Sequence, residues 1–313
     1  MLANLKISVN AVLPLFVIMA AGYAVKRAGL LRDKDVPRLN ALAFQVFLPC
    51  LLFYNIYVSD LSESVRPKLI LFVVCGVFAV YLSALILVLA IEKEPEKRGV
   101  MIQGLYRSNY VVVGIPIAAA LSGGGSLGVV TLLIAILVPI FNVLAVVTLA
   151  GFCGRRVNVG GTLADILKNP LIISTALGLL IKWMGLTIPG FLFAAVKDMG
   201  AASTPLQLLI LGAFFQIPGM KEHRKSLVVT VFGRLVVVPG LMLSAAAALG
   251  FRGVEFVALI GCFASPTATS SFVMTQQMGG DAGLAGDIVV LTSALCPFTI
   301  FGWAFLFKAL GIY

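Results

Sequence analysis

Uncharged stretches of about 20 residues recur along the whole length of this 313-residue chain. A helix needs about 20 apolar residues to cross the ~30 Å hydrocarbon core of a bilayer. The clearest stretches are Ile7–Val25, Leu39–Ser59, Leu69–Ile91, Met199–Met220, Phe256–Gly280 and Ile288–Phe307. The pattern predicts an all-α integral membrane protein.

The other spans follow from the same length rule. Ser108–Gly154 contains no charge and is too long for one helix, and Gly123-Gly124-Gly125 is the place where it can fold back. Two further spans are predicted around Asn169–Ile181 and Ser226–Phe251, which gives ten in total. Composition agrees, since only 12% of the residues are charged and the mean hydropathy is +1.08, whereas soluble proteins are roughly a quarter charged.

The basic residues are distributed unevenly between the connections. Connections after odd-numbered spans carry 14 Lys and Arg, whereas the even-numbered connections and the termini carry 6. Cytoplasmic loops hold the excess of basic residues, so this count predicts that both termini lie outside a cytoplasmic (inner) membrane. It also accounts for the formal charge of +10 without a nucleic-acid partner.

Two halves of five spans are predicted, residues 1–153 and 169–313, joined by a cytoplasmic connection over 154–168. An odd number of spans in each half inverts the second half, as in inverted-repeat transporters. Prolines recur at corresponding places in the two halves: Pro49, Pro116 and Pro139 in the first, and Pro205, Pro266 and Pro297 in the second.

Spans 4 and 9 combine an internal proline with uncharged hydrogen-bonding side chains. Proline interrupts the helical hydrogen bonds, and irregular backbone within a membrane must be buried in protein or line a wet cavity. One reading is a kink in a packed helix. The combination of proline and polar residues recurs in both halves, which favours a binding site instead. There the N-termini of half-helices suit a carboxylate.

Five stretches resemble the auxin efflux carrier family in the right order along the chain: "LNALAFQVFLPCLLF", "SNYVVVGIPI", "KDMGAASTPLQLLILGAFF", "GRLVVVPGL" and "SPTATSSFVMTQQMGGD". The resemblance implies a bile-acid-carrier-like fold in which broken helices 4 and 9 cross. Helices 1, 2, 6 and 7 would form a scaffold, and helices 3–5 and 8–10 a moving transport domain. It also implies efflux of a small organic anion, an auxin-like carboxylate or a dicarboxylate, by alternating access, and a homodimer formed through the scaffold.

The resemblance also suggests site residues. Asn109 matches the asparagine that contacts substrate in the fourth helix of the family, and Pro266 matches the crossing in the ninth. Ser108 stands where plant members have proline, so the break in helix 4 is expected between Ser108 and Pro116. The candidate substrate-binding residues are Asn55, Asn109, Gly114, Pro116, Ser265, Pro266, Thr267 and Thr269.

Three basic residues, Arg107, Lys197 and Arg234, fall within predicted spans and need partners or water. Arg107 is interpreted as an anchor that reaches the membrane surface. Arg234 lies deeper and is expected to pair with a substrate carboxylate, with Asp287 or with Asp198. His223, in a basic connection, is expected to be solvated.

Other function classes are less well supported. An intramembrane enzyme would need catalytic motifs that this sequence lacks, and a channel would need a continuous polar pore. The main alternative is a sodium-coupled organic-acid or bile-acid-type symporter, although no Asp or Glu lies between Gln103 and Ala164 or between Phe256 and Gly280. No metal, cofactor or disulfide is expected, because the five cysteines show no paired spacing.

Overall fold

The computed structural model describes residues 2–58, 66–114, 117–118, 121, 128–153, 168–214 and 223–313. The regular elements within these ranges are helices. Their bounds are α1 Leu2–Arg27, α2 Val36–Val58, α3 Pro67–Ile91, α4 Pro95–Tyr106, α5 Gly128–Cys153, α6 Pro170–Trp183, α7 Gly190–Phe214, α8 Arg224–Ala248, α9 Gly253–Ala264, α10 Ser270–Gln277 and α11 Ala282–Ala309.

Local sequence explains where several helices begin. Pro67, Pro95 and Pro170 each stand at the first helical position, where the missing amide hydrogen costs nothing. Asn169 precedes α6 and accepts a hydrogen bond of 2.9 Å from the Leu171 amide. Asp281 caps α11 in the same way through the Leu284 amide.

Five of the described helices are long and apolar enough to cross a membrane. They are Val36–Val58, Pro67–Ile91, Ile136–Cys153 within α5, Arg224–Ala248 and Ala282–Ala309. Large apolar side chains on three of them, such as Leu71, Leu241 and Phe298, are exposed. Apolar surface of this extent is expected where lipid replaces water, so the all-helical membrane prediction is confirmed.

Most described helices overlap the predicted uncharged stretches, whereas α4 ends before Ser108 and includes charged residues in its first turn. Pro116, the predicted fold-back at Gly123-Gly124-Gly125 and residues 154–167 of the predicted connection lie outside the described residues. All five cysteines are free thiols, as expected.

The helices form two closely packed groups, which also contact each other where α1 meets α11 and where α2 meets α10. α1 packs against α7, and α2 packs against α6 and α7. The α1–α7 contact is close: a Cβ on Gly212 would lie within van der Waals overlap of the Met19 carbonyl, and one on Gly22 would overlap that of Leu209. In the second group α4 packs against α3 and α5, α8 against α9 and α11, and α10 against α11.

Candidate functional site

Two helices are interrupted at the centre of the site. α4 ends at Tyr106 and a short π-helical turn, Tyr110–Gly114, follows it. α9 ends at Ala264 and α10 begins at Ser270. The break predicted near Pro266 is therefore confirmed, whereas the break in span 4 falls at residues 107–109, at the N-terminal limit of the predicted range.

The two breaks pair with each other. The Asn109 amide donates a hydrogen bond of 2.8 Å to the Pro266 carbonyl, and the Ala268 amide donates one of 3.1 Å to the Arg107 carbonyl. Ser108 and Thr267 thus form an antiparallel bridge. This pairing satisfies backbone groups that the interrupted helices leave free, as buried backbone requires.

Two glycines allow the broken segments to approach. A Cβ on Gly114 would lie 2.6 Å from the Gly261 carbonyl oxygen, and a Cβ on Gly261 would lie 2.8 Å from the Gly114 carbonyl oxygen. Gly114 is therefore needed for packing against α9. Its predicted place in the substrate site is not observed, because it does not line the cavity described below.

Arg234 is fully buried in the π-helical turn Gly233–Val237 of α8. Its Nε donates a hydrogen bond of 2.9 Å to the Ser265 carbonyl, and its Nη1 donates one of 3.2 Å to the Leu105 carbonyl. Longer bonds reach the carbonyls of Tyr106 and Cys262. Arg234 therefore caps the C-terminal ends of both α4 and α9, which carry partial negative charge.

The prediction that Asp198 or Asp287 pairs with Arg234 was wrong. Asp198 is exposed on α7, and Asp287 lies 3.1 Å from Nδ1 of His223. His223 is itself largely buried between Asp281 and Asp287, so the prediction that it is solvated was also wrong. Sequence patterns identify charged side chains as partners, but they do not show which backbone carbonyls a broken helix leaves free.

A cavity of about 70 Å³ lies beside the paired breaks. One buried water needs roughly 10–15 Å³, so the cavity has room for several waters or a small solute. The cavity is lined by the break of α4, by the start of α10 and by parts of α2, α5 and α7. Its polar lining residues are Asn55, Arg107, Ser108, Asn109, Asn142, Thr204, Gln207, Thr269 and Ser270.

Arg107 is the cation of this cavity. Its side chain is buried, and its Nη2 donates a hydrogen bond of 2.7 Å to Oδ1 of Asn142. Nη1 lies 3.2 Å from Oε1 of Gln103 and 2.8 Å from the sulfur of Met274. The interpretation of Arg107 as a surface anchor was wrong, because the break turns this residue into the protein interior.

Several buried polar atoms at the cavity have no hydrogen-bond partner within the described part of the chain. They include Nδ2 of Asn109, Oγ of Ser108 and Oε1 of Gln207. A buried donor or acceptor without a partner is costly and rare. Because all three residues line the cavity, these atoms are available to bind water or a polar ligand there.

The structure brings together only part of the predicted site. Asn55, Asn109 and Thr269 line the cavity, whereas Ser265 and Thr267 do not. The Ser265 hydroxyl donates to the Gly261 carbonyl at 2.6 Å, and the Thr267 hydroxyl donates to the Gly104 carbonyl at 2.8 Å. These two side chains stabilise the break instead, and Pro266 contributes its carbonyl to the pairing.

Six polar residues of the cavity were missed as candidates, namely Arg107, Ser108, Asn142, Thr204, Gln207 and Ser270. A usable signal was present for Asn142 and Gln207, since each is an amide within a long uncharged stretch. Such side chains are expensive in a membrane unless they face a cavity or a partner.

Comparison with known proteins agrees with this architecture. The model of a family described as membrane transport protein matches residues 7–153 and 156–304. An uncharacterized transporter of Methanocaldococcus jannaschii is 23% identical over 96% of this chain and 99% of its own length. An uncharacterized transporter of Methanothermobacter thermautotrophicus is 23% identical over 95% of this chain and 97% of its own length.

The family match covers nearly the whole chain. Together with the apolar helices, it shows an integral, multi-pass membrane protein. The chain belongs to the membrane transport protein family, that of the auxin efflux carriers.

Proposed function

We propose that this protein is a secondary transporter that carries a small organic anion across the cytoplasmic membrane by alternating access, in the direction of efflux. The observation that carries the proposal is the pairing of two helix breaks beside a cavity that contains the buried Arg107. Interrupted helices that meet at a polar cavity are the arrangement in which secondary transporters bind their substrates.

The polar groups of the cavity favour an anion. Arg107 supplies a guanidinium, whose planar set of donors matches a carboxylate. Asn109 adds a buried amide donor without a partner. Thr269 and Ser270 lie at the N-terminus of α10, where the helix dipole places partial positive charge. A carboxylate would satisfy all three groups.

Helix lengths support an inverted repeat of ten spans. α4 and α9, the half-helices that precede the breaks, each have 12 residues. α3 and α8, the helices before them, each have 25 residues. The two hydrogen bonds between the breaks are reciprocal, as a two-fold relation between the halves requires. We therefore propose that residues 1–153 and 169–313 are the two repeats.

The position of the cavity supports movement of one domain against another. Asn55 and Gln207 come from α2 and α7, which belong to the proposed scaffold. Arg107, Asn142 and Thr269 come from elements of the proposed transport domain, which corresponds to α3–α5 and α8–α11. A site at this boundary would become open to one side and then to the other when the transport domain moves.

Sodium-coupled symport is the second candidate, and the cavity favours it less. Sodium sites use oxygen ligands, and a carboxylate among them would balance the charge of the ion. Among the described lining residues none is Asp or Glu. We therefore propose that transport does not require a sodium gradient.

Uptake into proteoliposomes tests the proposal. Proteoliposomes preloaded with the unlabelled form of each carboxylate would be offered radiolabelled benzoate, indole-3-acetate, lactate, malate and succinate, with imposed sodium, proton and electrical gradients in turn. We expect saturable uptake of at least one carboxylate that does not need sodium. Saturable uptake only with a sodium gradient would support the symporter, and uptake of none by correctly folded protein would reject organic-anion transport.

A further inference from the structure

Among the residues that the structure describes, none supplies a negative partner for the positive charge of Arg107. Its guanidinium contacts the side chains of Gln103, Asn142 and Met274, all of which are neutral. The ion pairs found in the described part of the chain involve other residues. Arginine stays protonated even in such surroundings, so the cavity without a ligand carries an uncompensated charge.

Arg234 shows how the same chain compensates a buried guanidinium. Its hydrogen bonds end on the carbonyls of Leu105, Tyr106, Cys262 and Ser265. These carbonyls belong to the C-terminal ends of α4 and α9, so two helix dipoles oppose the charge. The Arg107 guanidinium bonds instead to the side chains of Gln103, Met274 and Asn142.

The charge has a different cost at different stages of transport. When the cavity is open to one side, water can solvate the guanidinium. When both sides are closed, an empty cavity holds a charge that has lost its water without gaining a counterion, which is strongly unfavourable. A bound carboxylate removes this cost by forming an ion pair with Arg107.

We propose that this transporter is an obligatory anion exchanger, in which Arg107 prevents the empty carrier from crossing the membrane. The loaded carrier crosses as a neutral pair, releases its anion and returns only after another anion has bound. One monocarboxylate then moves out for each one that moves in, and no net charge crosses. This inference rests on the proposed function.

An efflux experiment tests the exchange. Proteoliposomes loaded with the labelled carboxylate that showed the best uptake would be diluted into sulfate buffer, with or without a saturating amount of the same carboxylate unlabelled. Potassium and valinomycin would hold the membrane potential at zero. We expect external carboxylate to accelerate efflux at least tenfold, which corresponds to about 1.4 kcal/mol in the barrier. Equal rates would overturn the inference.

Variants at Arg107 and Asn142 test whether the dependence of efflux on external carboxylate comes from the charge of Arg107. Arg107→Lys keeps the charge and should keep the dependence on external carboxylate, whereas Arg107→Gln removes the charge and should bring the ratio close to one. Asn142→Asp places a carboxylate where Nη2 of Arg107 now donates at 2.7 Å, and should have the same effect as Arg107→Gln. An unchanged ratio in both charge-altering variants would show that Arg107 is not the cause. Arg27→Gln, on the exposed end of α1, is the matched surface control.

A second measurement remains decisive if these variants no longer transport. A cysteine replacing Ser270 at the cavity, in a background without the native cysteines, would be labelled with a membrane-impermeant maleimide from each side in turn, without carboxylate. We expect the Asn142→Asp protein to be labelled from the less accessible side at least tenfold faster than the protein with Asn142. Equal labelling overturns the inference, whereas absence of carboxylate uptake by the wild-type protein would overturn the proposed function itself.

Discussion

Asn109 and Pro266 join the two broken helices through a hydrogen bond of 2.8 Å between the amide of the first and the carbonyl of the second. This bond fixes the backbone of Asn109 and leaves its side chain at the cavity, where Nδ2 has no partner. The break therefore positions a donor that the helices themselves do not use.

Replacing Asn109 by alanine tests the use of this donor. A hydrogen bond to a charged acceptor contributes roughly 1.5–3 kcal/mol, so Asn109→Ala should weaken carboxylate binding about 10- to 100-fold. The backbone bond to Pro266 remains, so the melting temperature should change little. Isothermal titration and thermal melting of the purified protein measure both quantities. Thr299→Val, which removes a hydroxyl bonded only within α11, is the control, and wild-type affinity in Asn109→Ala would exclude this residue from the site.

Replacing Arg234 should instead lower the stability of the protein. Arg234→Met leaves four buried carbonyls without their donor. Unsatisfied buried groups cost about 1–3 kcal/mol each, so the melting temperature should fall by many degrees and transport should be lost with it. The melting temperature of Arg234→Lys should lie between those of the wild-type protein and Arg234→Met, because one ammonium cannot reach both helix ends. A stable Arg234→Met protein with impaired anion affinity would instead place Arg234 in the substrate site.

Sequence reasoning located the helices more accurately than it located the contacts. Uncharged stretches marked the helices because lipid excludes charge, and Pro266 marked the second break because proline cannot continue a helix. The first break contains no proline at Arg107, Ser108 or Asn109, so its position depends on the pairing with Thr267, a contact between residues distant in sequence. The capping role of Arg234 was missed for the same reason.

The distribution of basic residues makes a prediction about orientation. Both termini are expected outside the cytoplasm, with residue 160 inside. A reporter that is active only outside the cytoplasm should be active when fused after Tyr313 and inactive when fused after Gly160. The reverse pattern would contradict the orientation, although not the relation between the two halves.

The scaffold is expected to form a homodimer through α2, since a moving domain needs a fixed partner. Leu42 and Val46 are exposed on this helix, whereas Ala43 and Leu48 are buried. Single cysteines at Leu42 or Val46, in a background without the native five, should crosslink two chains in membranes. Cysteines at Ala43 and Leu48 serve as buried controls that should not react. Absence of crosslinking at every exposed position along Ala41–Tyr57 would favour a monomer.

Because the broken helices approach closely at Gly261, replacing glycine by alanine should have opposite effects on stability at Gly261 and at Gly302. In Gly261→Ala the new methyl group would lie 2.8 Å from the Gly114 carbonyl oxygen and 3.1 Å from the ring of Tyr110. The first of these contacts is with backbone, which cannot rotate away, so α9 and the turn at Tyr110–Gly114 must separate. The hydrogen bonds between Asn109 and Pro266 and between Ala268 and Arg107 should weaken, which lowers both the melting temperature and the transport rate.

Gly302→Ala is the matched control, because Gly302 lies within α11 with open space around its Cβ position. There alanine should stabilise the helix by roughly 0.5–1 kcal/mol and leave transport unchanged. Equal melting temperatures for the two variants would show that the close contact between Gly114 and Gly261 does not hold the breaks together.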